Sequence, residues 1–152
     1  MSGFPASAAM AAALAEARAA GARGEVPIGA VITAPDGAIV ARAGNRTREL
    51  HDPCAHAEIL AIRAACAARG SERLPGYTLT VTLEPCAMCA AGIAAARISR
   101  LVYGAADPKS GGVAHGARVF THAQSHHAPE IVSGIAEDEA AGLLTGFFQA
   151  RR

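Results

Sequence analysis

Apolar positions recur along this chain with two different periods, and the alternation between them predicts its elements. Residues 5–20, PASAAMAAALAEARAA, are strong helix formers, and Gly21, with Gly24 after it, predicts a first helix that stops there. The runs VPIGAVITA (26–34) and AIVARAG (38–44) flank Pro35-Asp36-Gly37, a turn tripeptide between β-prone segments, which predicts an antiparallel hairpin whose second strand ends at Asn45. In AHAEILAIRAACAAR, Ile59, Ile62 and Cys66 recur at helical spacing, so a second helix begins near Ala55 and stops at Gly70. YTLTVTL is an alternating β-branched strand that passes through Glu84-Pro85 into CAMCAAGIAAAR, where the proline suits the first turn of a third helix. RLVYGA reads as another short strand. The Gly-, His- and Pro-rich stretch 106–129 reads as loop with at most a helical turn, and EDEAAGLLTGFFQARR as a terminal amphipathic helix.

This order, with no internal repeat, implies an α/β layered domain whose sheet mixes antiparallel and parallel pairing. With 152 residues and 51% hydrophobic composition, the chain can bury a core as one domain, 1–152, without disulfides. The Ala-rich opening carries Glu16 and Arg18 and never runs to membrane-spanning length, so the expectation is a cytoplasmic protein with no membrane partner. A formal net charge of +1 excludes an overall basic field for nucleic acid and leaves two local basic clusters: Arg42, Arg46 and Arg48, and the terminal Arg151 and Arg152.

Four cysteines without an export signal point to metal, catalysis or burial rather than disulfides. Cys86 and Cys89, three apart at a helix start, share one face, and the positive end of the helix favours thiolate. CAMC alone fits a redox pair or half of a structural zinc knob as well as a catalytic zinc site. His56, at another helix start, supplies a third ligand, and three protein ligands leave a fourth position for water, the mark of a catalytic zinc. Zinc brings the pKa of such a water towards about 7. Glu58, two residues from His56, faces the same pocket without ligating and can shuttle protons, which makes the reaction a hydrolytic deamination. Cys54 reads as a spare thiol in a tight turn and Cys66 as core. His115, His122, His126 and His127 read as loop histidines, and at most one of Phe147 and Phe148 is free of the core.

HAE followed by PCAMC resembles the HxE and PCxxC signature of the cytidine and deoxycytidylate deaminase superfamily. EVPIGAV, GNR, HDPCAHAEILAIR, TLTVTLEPCAMCAAGI, ARISRLVYGAADPKSG and LLTGFFQARR are similar, over nearly the whole chain, to the bacterial tRNA-specific adenosine deaminases. The resemblance implies a three-layer α/β/α cytidine-deaminase-like domain with a mixed central sheet of about five strands. It also implies one Zn2+ per subunit on His56, Cys86 and Cys89, with Glu58 as general acid and base. The substrate it implies is adenosine 34 in the anticodon stem-loop of tRNA-Arg, edited to inosine by a homodimer whose sites are each bordered by the partner subunit. For substrate contacts it implies Asn45 bonding the flipped base, Val26 packing on its ring, Asp107 and Lys109 along the anticodon loop, and Phe148, Arg151 and Arg152 near the RNA. The chain departs from the family pattern in an Ala-rich first helix without tryptophan, in THAQSHHAPEIVSG, and in Ala106, where some relatives carry a basic residue. Two other functions fit the same residues: a deaminase of free bases or nucleosides such as guanine, cytosine or cytidine, and a catalytically silent, zinc-stabilised RNA-binding module.

Overall fold

A computed structural model describes residues 3–151. The elements run α1 (Gly3–Ala22), β1 (Gly29–Thr33), β2 (Ile39–Gly44), α2 (Ala57–Arg69), β3 (Thr78–Leu83), α3 (Ala87–Ala95), β4 (Arg100–Ala105), β5 (Glu130–Val132) and α4 (Glu137–Ala150), with a single 3-10 turn at Val119–Thr121. The strands form one sheet in the order β2-β1-β3-β4-β5. β1 is antiparallel to both β2 and β3, whereas β3–β4 and β4–β5 are parallel.

The pleat sorts side chains onto two faces. Ala30, Ile32, Leu79, Val81, Leu101 and Tyr103 pack with Ala57, Ala61 and Ala65 of α2 and Ala90 and Ile93 of α3. Val31 and Val102 point the other way, onto Ala9, Met10, Ala13 and Leu14 of α1 and Ala140 of α4. Helices therefore cover both faces, giving three layers; β1 is apolar on both sides for that reason, whereas β3 turns the buried Thr80 and Thr82 to the α1 face. The alanine-rich α1 fits a close approach: a Cβ on Gly29 would lie 2.0 Å from the Ala13 carbonyl oxygen, so small residues are needed on both sides of this seam. Among the described residues no helix is long and apolar enough to cross a membrane.

The predicted ends shift in three places. α1 runs past Gly21 to Ala22 and is closed by Gly24 (φ +88°), where the Glu25 N–H bonds to the Ala20 carbonyl and the Gly24 N–H to that of Gly21, a Schellman closure. Pro85 lies outside α3 rather than in its first turn, because Cys86 is the N-cap. The 106–129 stretch is irregular apart from its 3-10 turn, and it leads into β5, whose three residues are too few to reveal a period.

The strand registers place the functional loops together. Gly29 pairs with Gly44, Ala30 with Val81, and Leu83 with Ala105. The start of β1 and the ends of β2, β3 and β4 therefore share one rim of the sheet. Val26, Asn45, Cys86 and Asp107 all stand on the segments that leave this rim, the usual place for a ligand in a sheet of this kind.

Candidate active site

His56 is the N-cap of α2 and Cys86 the N-cap of α3, and both have extended backbone (ψ 153° and 174°). Neither side chain is used to cap its helix, so both are free for other bonds. The His56 Nδ1 lies 3.6 Å from the Cys86 Sγ and 3.4 Å from the Cys89 Sγ, and the three donor atoms all fall within 4.8 Å of one another. Nitrogen and sulfur ligands at zinc's ordinary bond lengths, spread tetrahedrally, stand about 3.5 Å apart, so the trio fits a zinc ion as it stands. It is the one such group among the described residues. The Cys89 thiol, hydrogen-bonded to Cys86, holds the Cys86 thiol down to about 4 against the opposing effect of burial, with His56 adding to the pull. The same bond and burial push the Cys89 thiol far up. One thiolate is thus available in the folded chain, and ligation displaces the second proton.

Glu58, in the first turn of α2, is buried with 4% of its surface exposed. Burial pushes its carboxyl up to about 7, against the pull of a backbone N–H and of His56. A carboxyl poised there both takes and gives a proton near neutral pH. Asn45, on the same rim, is 6% exposed; its N–H bonds to the Ile28 carbonyl at 3.1 Å, while its side-chain Oδ1 has no partner among the described residues.

Val26, Asp107, Lys109 and Phe148 line one surface groove of about 510 Å³, with Ile28 and Leu144 beside them. Phe148 is 49% exposed, whereas Phe147 is buried against it edge-on, so one of the two phenylalanines faces outward as expected. Asp107 holds its own turn, its Oδ1 accepting the Lys109 and Ser110 N–H groups at 3.2 and 3.0 Å. Arg151 is not in this groove. Its guanidinium lies 3.5 Å from the Phe147 ring centroid and donates to the Phe147 carbonyl, beside a separate cleft between α1 and α4. Arg152 lies outside the described residues.

The model of the cytidine and deoxycytidylate deaminase zinc-binding region matches residues 5–105. The chain belongs to this zinc-binding deaminase family. Its members are enzymes that hydrolyse C–N bonds. The chain is 61% identical over 140 residues to a tRNA-specific adenosine deaminase of Agrobacterium fabrum, covering 92% of this chain and 91% of that one. It is 44% identical to the protein of the same description from Bacillus subtilis, covering 92% and 86%. A solved structure from biochemical and structural studies of A-to-I editing by tRNA:A34 deaminases at the wobble position of transfer RNA superposes with a TM-score of 0.89 at 60% identity, covering 91% of this chain and 99% of that one. The expected cytidine-deaminase-like fold is therefore the observed one.

Two buried acids of this deaminase escaped the sequence reading. Glu84, the last residue before Pro85, has a fully buried side chain whose oxygens accept the N–H groups of Asp107, Val113, Ala114 and His115 and face the His115 ring at 2.8 Å. Burial raises its carboxyl, but these bonds outweigh it and hold the group below the usual carboxylate range. The loop approaches so closely that a Cβ on Gly111 would stand 2.4 Å from the Glu84 Oε2. His115, expected as a plain loop histidine, has a carboxylate partner brought from 31 residues away, too distant along the chain for local spacing to show. The second acid is Glu25, 2% exposed. The only signal for either was a charged residue abutting an apolar β run. Cys54 is exposed on an Asp52-capped turn, as expected, and Cys66 packs at the margin of the core rather than within it.

Proposed function

We propose that the chain, as one deaminase domain over 1–152, converts the wobble adenosine 34 of tRNA-Arg to inosine in the cytoplasm. The observation that carries this reading is the pairing of a zinc-ready His–Cys–Cys trio with a buried glutamate poised at about 7. Its supports are the 61% identity to a named tRNA-specific adenosine deaminase and a groove that lies at the surface, with room for a splayed loop. His56, Cys86 and Cys89 would hold the zinc, which when bound supplies Lewis-acid activation of a water near neutral pH.

Glu58 would take one proton of the attacking water and deliver it to N1 of the purine, then take the second from the hydroxyl added at C6 and give it to the amine, so that ammonia leaves as the C6 carbonyl forms. Its buried setting raises it to about 7, so that it can hold and release a proton near neutral pH. The unpartnered Oδ1 of Asn45 accepts from the flipped nucleoside, replacing a bond the fold does not make. Val26 packs on the base, Lys109 meets loop phosphates and Phe148 stacks on a neighbouring base. Arg151, just past α4, adds charge to the RNA-facing surface, as Arg152 would by sequence. The reading includes a homodimer, to be checked by light scattering on the zinc-loaded protein.

The test is inosine formation by the purified protein on an arginine anticodon stem-loop, on free adenosine, cytidine and guanine, and with Glu58→Ala as control. Inosine in the stem-loop alone is expected. Turnover of a free base with silence on RNA moves the substrate to the free-base class. RNA binding without any turnover makes the chain a zinc-stabilised binding module.

A further inference from the structure

The Glu25 side chain joins two segments of the rim that are far apart in sequence. Its two oxygens accept the N–H groups of Arg48 at 3.1 Å and Glu49 at 2.8 Å. Those donors open a short helical turn, in which the Leu50 N–H bonds to the Arg46 carbonyl, the His51 N–H to that of Arg48 and the Asp52 N–H to that of Thr47. The first N–H groups of such a turn have no partner within it, and a carboxylate is the strongest acceptor for them. Beside this contact, the Asn45 N–H bonds to the Ile28 carbonyl and ties the same two segments, while the Arg46 N–H bonds to the Ala55 carbonyl and ties the loop to the chain entering α2. Arg23 closes the seam, donating to the Asn45 carbonyl at 3.4 Å.

Asn45 precedes that turn directly, and Val26 follows Glu25 directly. Because the Asn45 Oδ1 makes no bond among the described residues, the direction of the side chain is set by its backbone. That backbone is held by the seam centred on Glu25. A solvent-exposed loop glutamate would cost little to lose, but this acid is desolvated and bonded only to main chain, so its removal frees the loop rather than any catalytic group.

We propose that Glu25 is a positioning residue for substrate recognition: its buried carboxylate fixes the 45–50 loop and, through it, aims Asn45 at the nucleoside. This rests on the reading of Asn45 as a substrate contact.

The test is a double-mutant cycle on the zinc-loaded protein, measuring KM and kcat on the stem-loop for wild type, Glu25→Gln, Asn45→Ala and the double variant. A carboxamide keeps the volume but accepts through one atom only. Glu25→Gln raises KM by about tenfold in the wild type and less than about twofold on Asn45→Ala, with kcat per bound zinc little changed. Glu25→Asp, which keeps the charge and shortens the reach, gives a smaller rise and serves if the glutamine variant does not fold. The core variant Leu14→Ala, in the apolar cluster under α1 and outside the hydrogen bonds of the loop, lowers the melting temperature without raising KM. Equal factors in both backgrounds, a KM that follows melting temperature, or zinc loss in Glu25→Gln would overturn the positioning role. If Asn45→Ala has wild-type KM on the stem-loop, the Asn45 reading falls first. If wild type turns over only a free base, the cycle is run on that base, so substrate class and positioning are judged separately.

Discussion

The metal trio and the groove beside it are built on opposite plans. His56, Cys86 and Cys89 come from two helix starts, where the backbone is fixed by the helices and the side chains left uncommitted. The groove is lined by the ends of β3 and β4, the 106–110 loop and one side of α4, and the loops of this rim are held by buried acids bonded to main-chain N–H groups: Glu84 holds 107–115, beside the groove, and Glu25 holds the turn after Asn45. Chemistry needs a few atoms in fixed places, which helix ends provide. Recognition of a large ligand needs an extended irregular surface, and such a surface holds its shape only if its backbone groups find partners.

The sharpest break in this comparison is Cys86→Ala, which should lose zinc by metal analysis and turnover with it, because two remaining ligands do not retain the ion. Treatment of the wild type with a chelator should do the same and be reversed by added zinc. Next, Glu58→Gln should keep full zinc and fold while turnover falls by about a thousandfold. Zinc loss in that variant would make Glu58 part of the metal site instead. Glu84→Ala tests the other plan: it leaves several buried N–H groups unpaired and should destabilise the fold by about 3–5 kcal/mol in denaturant unfolding. Unchanged stability would mean that the loop does not depend on this acid. Lys109→Ala and Phe148→Ala should each raise KM on the stem-loop by about three- to tenfold with kcat unchanged, and only the lysine variant should flatten the salt dependence. The smallest effect is expected for Arg151→Ala, about twofold in filter-binding affinity, because its guanidinium is already engaged by Phe147.

These two regions also differ in how far they could be read before folding. Helix starts announce themselves locally: a β-branched strand, a proline and CxxC within a dozen residues fixed the position of Cys86 and Cys89, and HAE ahead of an apolar helical run fixed His56 and Glu58. The strand β5 and the end of α1 were missed because their signals are short or divided, three residues in one case and two glycines in the other. The resemblance implied Arg151 near RNA, and only the folded helix shows its guanidinium resting on Phe147.

The residue types alone determined the chemistry, since no other side chains in this chain supply two soft ligands, an imidazole and a free carboxylate at two helix starts, and the period of the apolar positions determined most of the elements. Tertiary structure decided what those positions mean together. The sheet register brought the ends of β2, β3 and β4 and the start of β1 to one rim, and burial turned Glu25 and Glu84 from ordinary charged residues into loop anchors. Desolvation and long-range hydrogen bonding depend on which segments meet in space, and a linear pattern records only what lies nearby along the chain.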